Sequence, residues 1–432
     1  SCAINLPYSE QYMKNTLATI ALLFFYAALY SQEVLIIREQ EFIDTETGTS
    51  QGVNVPRSVK TQFQFLNNSV TSVNSFGYLL QAGDENPAAT NYNLDGEIIS
   101  GNRFVWNGTD ETSMTHALFT GYNVDVVVKY NYLLNTPNGI QRKSDGMADV
   151  NGVIAYNILK NPKLGVAVKG ISGIKIYNNT FYSDKTSDQT WRGLVDIYNN
   201  TDNGLNAPSK GTRVFNNIFY TRNHIYNINI HDPECLEEFE CDYNVYWCEA
   251  GDPIFQVDGK TKTFAMWQAM GYDLHSVVIN PNFTDYIAFV PALRLDYGID
   301  LGETFKEGLS IDATWNRTAP ETAPQNGPWQ VGARVYSAPA SGEEDGEKWP
   351  ANVTSVFPNP AIDVFYVLLT DPDRQYAIAK VYDSLGRFIF SRAVYSGINS
   401  VELPEGLSSG MYTVTLEAAS IERYLQKLII LN

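Results

Sequence analysis

Four short apolar runs carry the residues best suited to chemistry. Gly139-Ile-Gln-Arg-Lys143 precedes Gly165-Val-Ala-Val-Lys169 by 26 residues, and Gly193-Leu-Val-Asp-Ile-Tyr198 and His224-Ile-Tyr-Asn-Ile-Asn-Ile-His231 follow. If the runs are neighbouring strands, alternation puts Ile140, Val166, Val168, Val195, Ile197, Ile228 and Ile230 on one side. The other side then holds Lys143, Lys169, Asp196 or Tyr198, and Asn229 or His231. This requires the register to slip by one residue between the second and third runs. Arg142 falls on the inward side unless the chain is already turning there; if it turns, Arg142 joins Tyr198 and Asn229 as a contact for a bound molecule. Two lysines stacked about 4.8 Å apart repel by roughly 1 kcal/mol even in water. An anion bridging them makes the arrangement favourable, and the carboxylate of an acidic sugar is such an anion. Alternatively the lysines are simply the solvated ends of surface strands. A different chemistry, hydrolysis by paired carboxylates, would draw on Asp145, Asp149 and Asp196, although spacing alone does not place two of them at a working separation. His116 and His224 could face the same groove, but a lone histidine in a repeat is more often structural.

The frame that would stack these runs is visible as a repeat. Seven apolar segments each end in asparagine and restart on an apolar or aromatic residue: FLNNSV, IISGNRF, VVKYNYL, VIAYNIL, IKIYNNTF, RVFNNIF and CDYNVYW. The aligned residues are Asn68, Asn102, Asn131, Asn157, Asn179, Asn217 and Asn244, at steps of 34, 29, 26, 22, 38 and 27 residues. An irregular repeat of this length, built from β-branched strands, implies a solenoid of stacked coils. No coil of this size buries its own apolar face; each needs the coils above and below. Asparagine suits the sharp turns because it tolerates left-handed backbone angles. In register, the asparagine amides would bond from coil to coil, and a buried amide left unpaired costs roughly 1–3 kcal/mol.

Composition narrows the partners. The chain has 432 residues, enough for two folded units, and a formal charge of −18, which argues against nucleic acid. Tyrosine is abundant, with 27 residues; exposed aromatics and amides suit sugar rings, although many of the rings could instead pack between coils. Cys235, Cys241 and Cys248 with His231 offer a Cys3His ligand set, but the spacing fits no zinc motif. A local disulfide pinning the loop after Ile228–Ile230 is the simpler expectation.

Over about residues 55–335 the repeat resembles the right-handed parallel β-helix family, the pectate-lyase-like solenoids. The stretches FAMWQAMGYDLHSVVINPNF (Phe264–Phe283), RLDYGIDLG (Arg294–Gly302) and WQVGARVY (Trp329–Tyr336) resemble the closing segment of many secreted bacterial β-helix proteins. Phe264, Trp267 and Met270 share one helical face, Gly271 can cap it, and such a helix would cover the open end of the stack. Polysaccharide lyases of this fold neutralise a uronate carboxylate with a cation, often calcium or basic side chains, while a base takes the adjacent proton and β-elimination follows. The resemblance therefore implies Lys143 and Lys169 as neutraliser and base. Tyr198 or His231 are alternative proton carriers, and Asp196 is a partner or calcium ligand. The chain shows no convincing carboxylate cluster for calcium, as some of these families have; no metal site is assigned, and calcium stays open as a cofactor.

The ends read differently. Met13-Lys14 opens a signal-like segment with an apolar Leu17–Tyr30 and a small residue at Ser31; residues 1–12 precede it and read as an upstream artefact. After a Pro/Gly/Glu-rich linker, alternating short strands with turn signals indicate a small Ig-like β-sandwich. It resembles the C-terminal sorting domain of the type IX secretion system. The matching pieces are Pro358-Asn359-Pro360, Val381-Tyr382-Asp383 through Gly386, Ser409-Gly410-Met411-Tyr412 and Lys427–Leu431. The expected organisation is a leader over 1–31, an all-β parallel β-helix over 32–336, a linker over 337–350 and a sorting domain over 351–432. The expected protein is a monomer, secreted or attached to the outer-membrane surface of a Gram-negative bacterium. Its expected partners are a polysaccharide and the type IX machinery. The expected activity is that of a lyase on an acidic polysaccharide; the alternatives are a non-catalytic glycan-binding or adhesin-like surface protein, and a polysaccharide hydrolase.

Overall fold

The computed structural model describes residues 34–45, 47–55, 62–83, 96–109, 113–146, 148–149, 151–185, 192–337, 355–357, 364–369, 376–383, 387–395, 397–404, 406–417 and 424–430. The expected leader, most of the linker, Pro358-Asn359-Pro360 and Gly386 lie outside these residues. The chain divides into two compact units, Ser1–Pro339 and Ala340–Asn432.

The first unit is a parallel β-helix. Within the coils, strands pair in parallel with the strand one coil away and not with their chain neighbours, so that three long sheets run along the stack, with eight, nine and nine strands; the third ends in an antiparallel pair, Ile254–Val257 with Lys260–Thr263. One coil shows the pattern. Val127–Lys129 lies in the first sheet, Tyr132–Leu134 in the second and Asn138–Lys143 in the third. The next coil supplies Val153–Ala155, Ile158–Lys160 and Leu164–Lys169, each paired in parallel with its counterpart. The inward side chains form continuous apolar files, such as Ile99, Val128, Ile154, Ile176 and Val214, all fully buried. Aromatic rings stack in the same way: Phe181 on Phe219 at 4.8 Å, and Phe219 on Tyr246 at 5.0 Å. This answers the problem that no single coil solves, because each apolar face is covered by its repeats.

The seven asparagines form one buried ladder. Both the backbone N–H and the side-chain Nδ2 of each donate to Oδ1 of the next. For Asn131 these bonds to Asn157 are 3.0 and 2.9 Å, and for Asn157 to Asn179 both are 3.0 Å. The second Nδ2 hydrogen goes to a strand carbonyl of the preceding coil, as from Asn157 to Val128 O at 2.9 Å. The file ends on a built terminus, where Asn244 donates to Ser276 Oγ at 2.7 Å and to Asp273 Oδ1 at 2.9 Å. The left-handed residue of each turn is, however, the one before the ladder position: Asn67, Gly101, Tyr130, Tyr156, Asn178, Asn216 and Tyr243. The ladder asparagine serves its amide, not its backbone tolerance. Three tyrosines accept the left-handed angle at a cost of roughly 1–2 kcal/mol each. Two of them are held outside the coil by the returning segment, with Tyr130 donating to Glu307 O at 2.6 Å and Tyr156 to Phe305 O at 2.5 Å.

A short helix, Phe264–Gln268, lies against the last coils. Thr263 Oγ1 caps it by accepting from Met266 N at 3.2 Å, and Gly271 takes a left-handed angle beyond its end. Trp267 is fully buried and stacks on Phe255 at 4.9 Å; Met270 stays exposed because the helix stops short of it.

The second unit is a small sandwich of antiparallel sheets. Three strands, Ser355–Phe357, Val364–Leu369 and Gly397–Glu402, make one sheet. Four more, Tyr376–Tyr382, Phe388–Tyr395, Gly410–Glu417 and Tyr424–Ile430, make the other. Phe365, Val381, Val414 and Leu428 are among the residues of its buried core.

Candidate functional site

The outer face of the third sheet gathers most of the chemistry-bearing residues. Its register is Lys143 to Lys169 to Tyr198 in one file, and Gln141, Ala167, Asp196 and Asn229 in the file beside it. The one-residue slip is real: Val166 pairs with Val195, so Gly165 lies level with Leu194 and not with Gly193. Gly165 is required at its place, since a Cβ there would lie 2.4 Å from Leu194 O and 2.9 Å from the Phe181 ring. Leu194 and Val195 both join the core, and alternation restarts after that pair. Asp196 and Tyr198 therefore share the outer face and do not compete for one position.

Asp196 is fully buried. Among the described residues neither carboxylate oxygen has a well-directed hydrogen bond, but His231 Nε2 stands 3.4 Å from Oδ1. Burial raises the Asp196 pKa; the opposing pull of His231 and Asn229 is weaker. His231 keeps a quarter of its side chain exposed. Burial lowers its pKa, but Asp196 outweighs this and the net shift is upward. Asn229 Nδ2 lies 3.0 Å from His231 Nε2, and Asn229 Oδ1 is buried without a hydrogen-bond partner among the described residues. The Tyr198 ring meets His231 edge-on at 5.3 Å. Gln141 Nε2 reaches the Tyr198 hydroxyl at 3.5 Å. Burial, then Asp196 and Asp202, push the Tyr198 pKa up, so its proton is retained at neutral pH. The result is a proton donor beside an imidazole that a buried carboxylate polarises.

The lysine pair is already bridged. Lys143 Nζ and Lys169 Nζ each lie 2.8 Å from Asp202 Oδ2, and Lys169 also reaches Oδ1 at 2.8 Å. Against the cost of its partial burial, the two lysines hold the Asp202 carboxyl below the usual range. The anion expected between them is thus supplied by the chain, from a turn that spacing did not identify as part of the site. The one visible signal was the 38-residue step from Asn179 to Asn217, the longest in the repeat, which marks a loop leaving the coil there.

Arg142 is corrected as a ligand contact. It points into the coil, only 1% exposed, and pairs with buried Asp149 and Thr120 while donating to Asn123 O at 3.1 Å. Burial lowers its pKa to about 10, against the pull of Glu97. Strict alternation governs here, and the guanidinium is accommodated because acidic partners from neighbouring turns line the interior. Asp149 is consumed in that pair, and Asp145 is exposed, so the carboxylates weighed for hydrolysis occupy different environments. His116 lies on the outer face against Tyr78 at 5.4 Å; burial and then Arg192 lower its pKa to about 3. His224 is exposed, 3.8 Å from Cys248 Sγ. Cys235, Cys241 and Cys248 are all buried free thiols, so the expected local disulfide is absent among them. Among the described residues, no group of three or more histidine, cysteine or acidic side chains is placed to hold a metal ion.

Residues 355–431 match the family model of the secretion system C-terminal sorting domain. The second unit is a type IX sorting domain. It directs export by the type IX system of Bacteroidetes-type bacteria, to the medium or the cell surface, and implies contact with that machinery. The chain matches no curated protein.

Proposed function

We propose that the exported solenoid is a carbohydrate-active protein whose third-sheet outer wall contacts an acidic polysaccharide and cleaves it by β-elimination. The observation that carries this reading is the buried Asp196 3.4 Å from the half-buried His231, with the Tyr198 ring against the same imidazole. In this reading neutral His231 removes the proton next to the uronate carboxyl group. The electron pair forms the ring double bond, the bond from the ring to the glycosidic oxygen breaks, and that oxygen takes the Tyr198 proton. Asp196 stabilises the imidazolium that forms. Lys143 and Lys169 act on the substrate carboxylate and not as the base, since an ammonium held by Asp202 is a poor proton acceptor. Gln141 is a contact for sugar hydroxyls and buried Asn229 orients His231, in a wall of coils that suits a polymer running along the axis.

Glycan binding without turnover is the second reading, and the Asp202 bridge favours it, because that bridge offsets part of the positive charge an elimination site would use. The two are separated by incubating the full chain with polygalacturonate, alginate and glycosaminoglycans and following the ultraviolet absorbance of an unsaturated uronide. Elimination that is lost in His231→Gln and Tyr198→Phe supports the first reading. Binding without that signal supports the second. Activity that survives both Lys143→Gln and Lys169→Gln removes the lysines from the site.

A further inference from the structure

We infer that Asp202 is a tethered surrogate for the acid group of the ligand, occupying an anion subsite that a polysaccharide carboxylate or sulfate ester enters by displacing it. The inference rests on the proposed carbohydrate-binding wall and names how that wall selects charge. Lys143 and Lys169 rise from adjacent strands in register, so the stack sets their backbone spacing. Both ammonium groups converge on a single carboxylate oxygen at 2.8 Å. Without an anion there, the two charges would repel across a coil spacing of about 4.8 Å.

The bridging group has the opposite character. Asp202 opens a three-residue turn, Asp202–Gly204, whose Asn203 takes a left-handed angle and whose tip is exposed. The turn is held at its base, where Asn200 and Ala207 exchange backbone bonds of 2.8 and 3.1 Å and Asn200 Nδ2 donates to Ser144 O at 2.6 Å, and within it the Asp202 N–H donates to Asn200 Oδ1 at 3.0 Å and the Asp202 carbonyl accepts from Leu205 N at 3.1 Å. The Asp202 carboxylate is held by the two lysines, and its side chain is 37% exposed. The carboxylate can therefore turn out to solvent about its own side-chain bonds without breaking a core contact, whereas the lysine backbones stay in register in their sheet. A fixed cationic pair facing a movable carboxylate is a subsite with a competitor attached. It admits an acidic polymer and gives a neutral one nothing in exchange for the lost bridge.

The test is the affinity of the full chain for polygalacturonate, dextran sulfate and uncharged dextran, by calorimetry at low salt, for wild type, Asp202→Asn, Asp202→Glu and the double variant Asp202→Asn/Lys169→Gln. Asp202→Asn should bind at least one acidic probe roughly tenfold more tightly, equivalent to about 1.4 kcal/mol, while dextran is unchanged. A gain on polygalacturonate identifies a carboxylate as the entering group; a gain on dextran sulfate alone identifies a sulfate. Asp202→Glu, which keeps the charge, should match wild type. The double variant, which restores the net charge that wild type has at this site and so is expected to fold if Asp202→Asn does not, should lose the gain. Unchanged or weaker binding of both acidic probes by a folded Asp202→Asn overturns the inference, as does an equal gain on dextran. The failures separate cleanly: elimination lost in His231→Gln but indifferent to Asp202 leaves the proposed reaction and removes the subsite. Tighter binding by Asp202→Asn with no unsaturated product leaves the subsite and removes the reaction.

Discussion

Asn157→Ala should be among the most damaging single substitutions in the solenoid, out of proportion to the size of the group removed. Asn157 Oδ1 is the acceptor for both the backbone N–H and the Nδ2 of Asn131, and its own Nδ2 donates to Val128 O and Asn179 Oδ1. After truncation, Asn131 Nδ2 keeps Ile99 O and Asn179 Oδ1 keeps the Asn157 backbone N–H. The Asn131 N–H loses its ladder acceptor. One orphaned buried donor costs roughly 1–3 kcal/mol, and the lost bonds to Val128 and Asn179 add about 1 kcal/mol each. The sum is about 3–5 kcal/mol, a large part of the 5–15 kcal/mol typical of a whole domain. Asn151→Ala is the control: its amide donates to Asp125 at the surface, and the change should stay within about 0.5 kcal/mol. Urea denaturation followed by far-ultraviolet circular dichroism gives the difference, and hydrogen exchange at the Asn131 amide localises it, since a solenoid can open coil by coil. If Asn157→Ala lies within 1 kcal/mol of Asn151→Ala and the Asn131 amide stays protected, the ladder is an ornament of the turns and not a cause of the stack.

Three further outcomes follow from the same physics. The His231 imidazole should titrate above its ordinary value of about 6.5, because Asp196 outweighs burial. The stabilising effect of that pair is complete below about pH 6.5 and is lost as pH rises through the raised value. Nuclear magnetic resonance titration of Asp196→Asn should move the midpoint below 6.5, and a wild-type midpoint already below it would refute the pairing. Arg142→Met should cost about 3–5 kcal/mol by leaving Asp149 charged and unpaired in the interior, with glycan binding by the folded protein unchanged; weaker binding at unchanged stability would return Arg142 to the site. The thiols of Cys235, pushed up to about 12 by burial, and of Cys241, raised well above its ordinary value by burial and then Asp273, should ignore a thiol reagent in the native state and react after denaturation without reductant.

The architecture was legible because its physics repeats. A buried amide needs partners on both sides, so seven aligned asparagines imply a stack, and the 26-residue step from Asn131 to Asn157 is the step that puts Lys143 beside Lys169. What spacing could not supply was pairing between residues that no period relates. Arg142 is read correctly as inward by alternation and incorrectly as a ligand contact by its charge; the deciding fact is Asp149, brought opposite it only by folding. Asp202 lies in an excursion outside the repeat, so its position opposite both lysines has no signature beyond an overlong step. The left-handed tyrosines were hidden for a related reason. Tyr130 and Tyr156 are held there by the returning segment, which receives their hydroxyls and begins more than 100 residues later.

The distribution of unmet hydrogen bonds argues for where the molecule is spending stability on something other than folding. The ladder is satisfied from Asn68 to Asp273, even at its end, where Asp273 accepts from Asn244, Ser276, Cys241, Tyr246 and Trp267. On the outer face of the third sheet the same coils leave Gln81 Oε1, both Asp196 oxygens and Asn229 Oδ1 buried without such bonds among the described residues. These three residues belong to one file, with Gln81 level with Phe119, and Phe119 with Gln141. Arg142 Nε is also left without such a bond in the interior, but Asp196 and Asn229 place three of these atoms on adjacent coils, at roughly 1–3 kcal/mol apiece. Such defects collect where a bound partner completes them. Asp196 and Asn229 lie on adjacent coils next to the partly exposed His231, so in the proposed reading an extended ligand along the wall meets that imidazole and the lysine pair, with its acid group at the position Asp202 now holds.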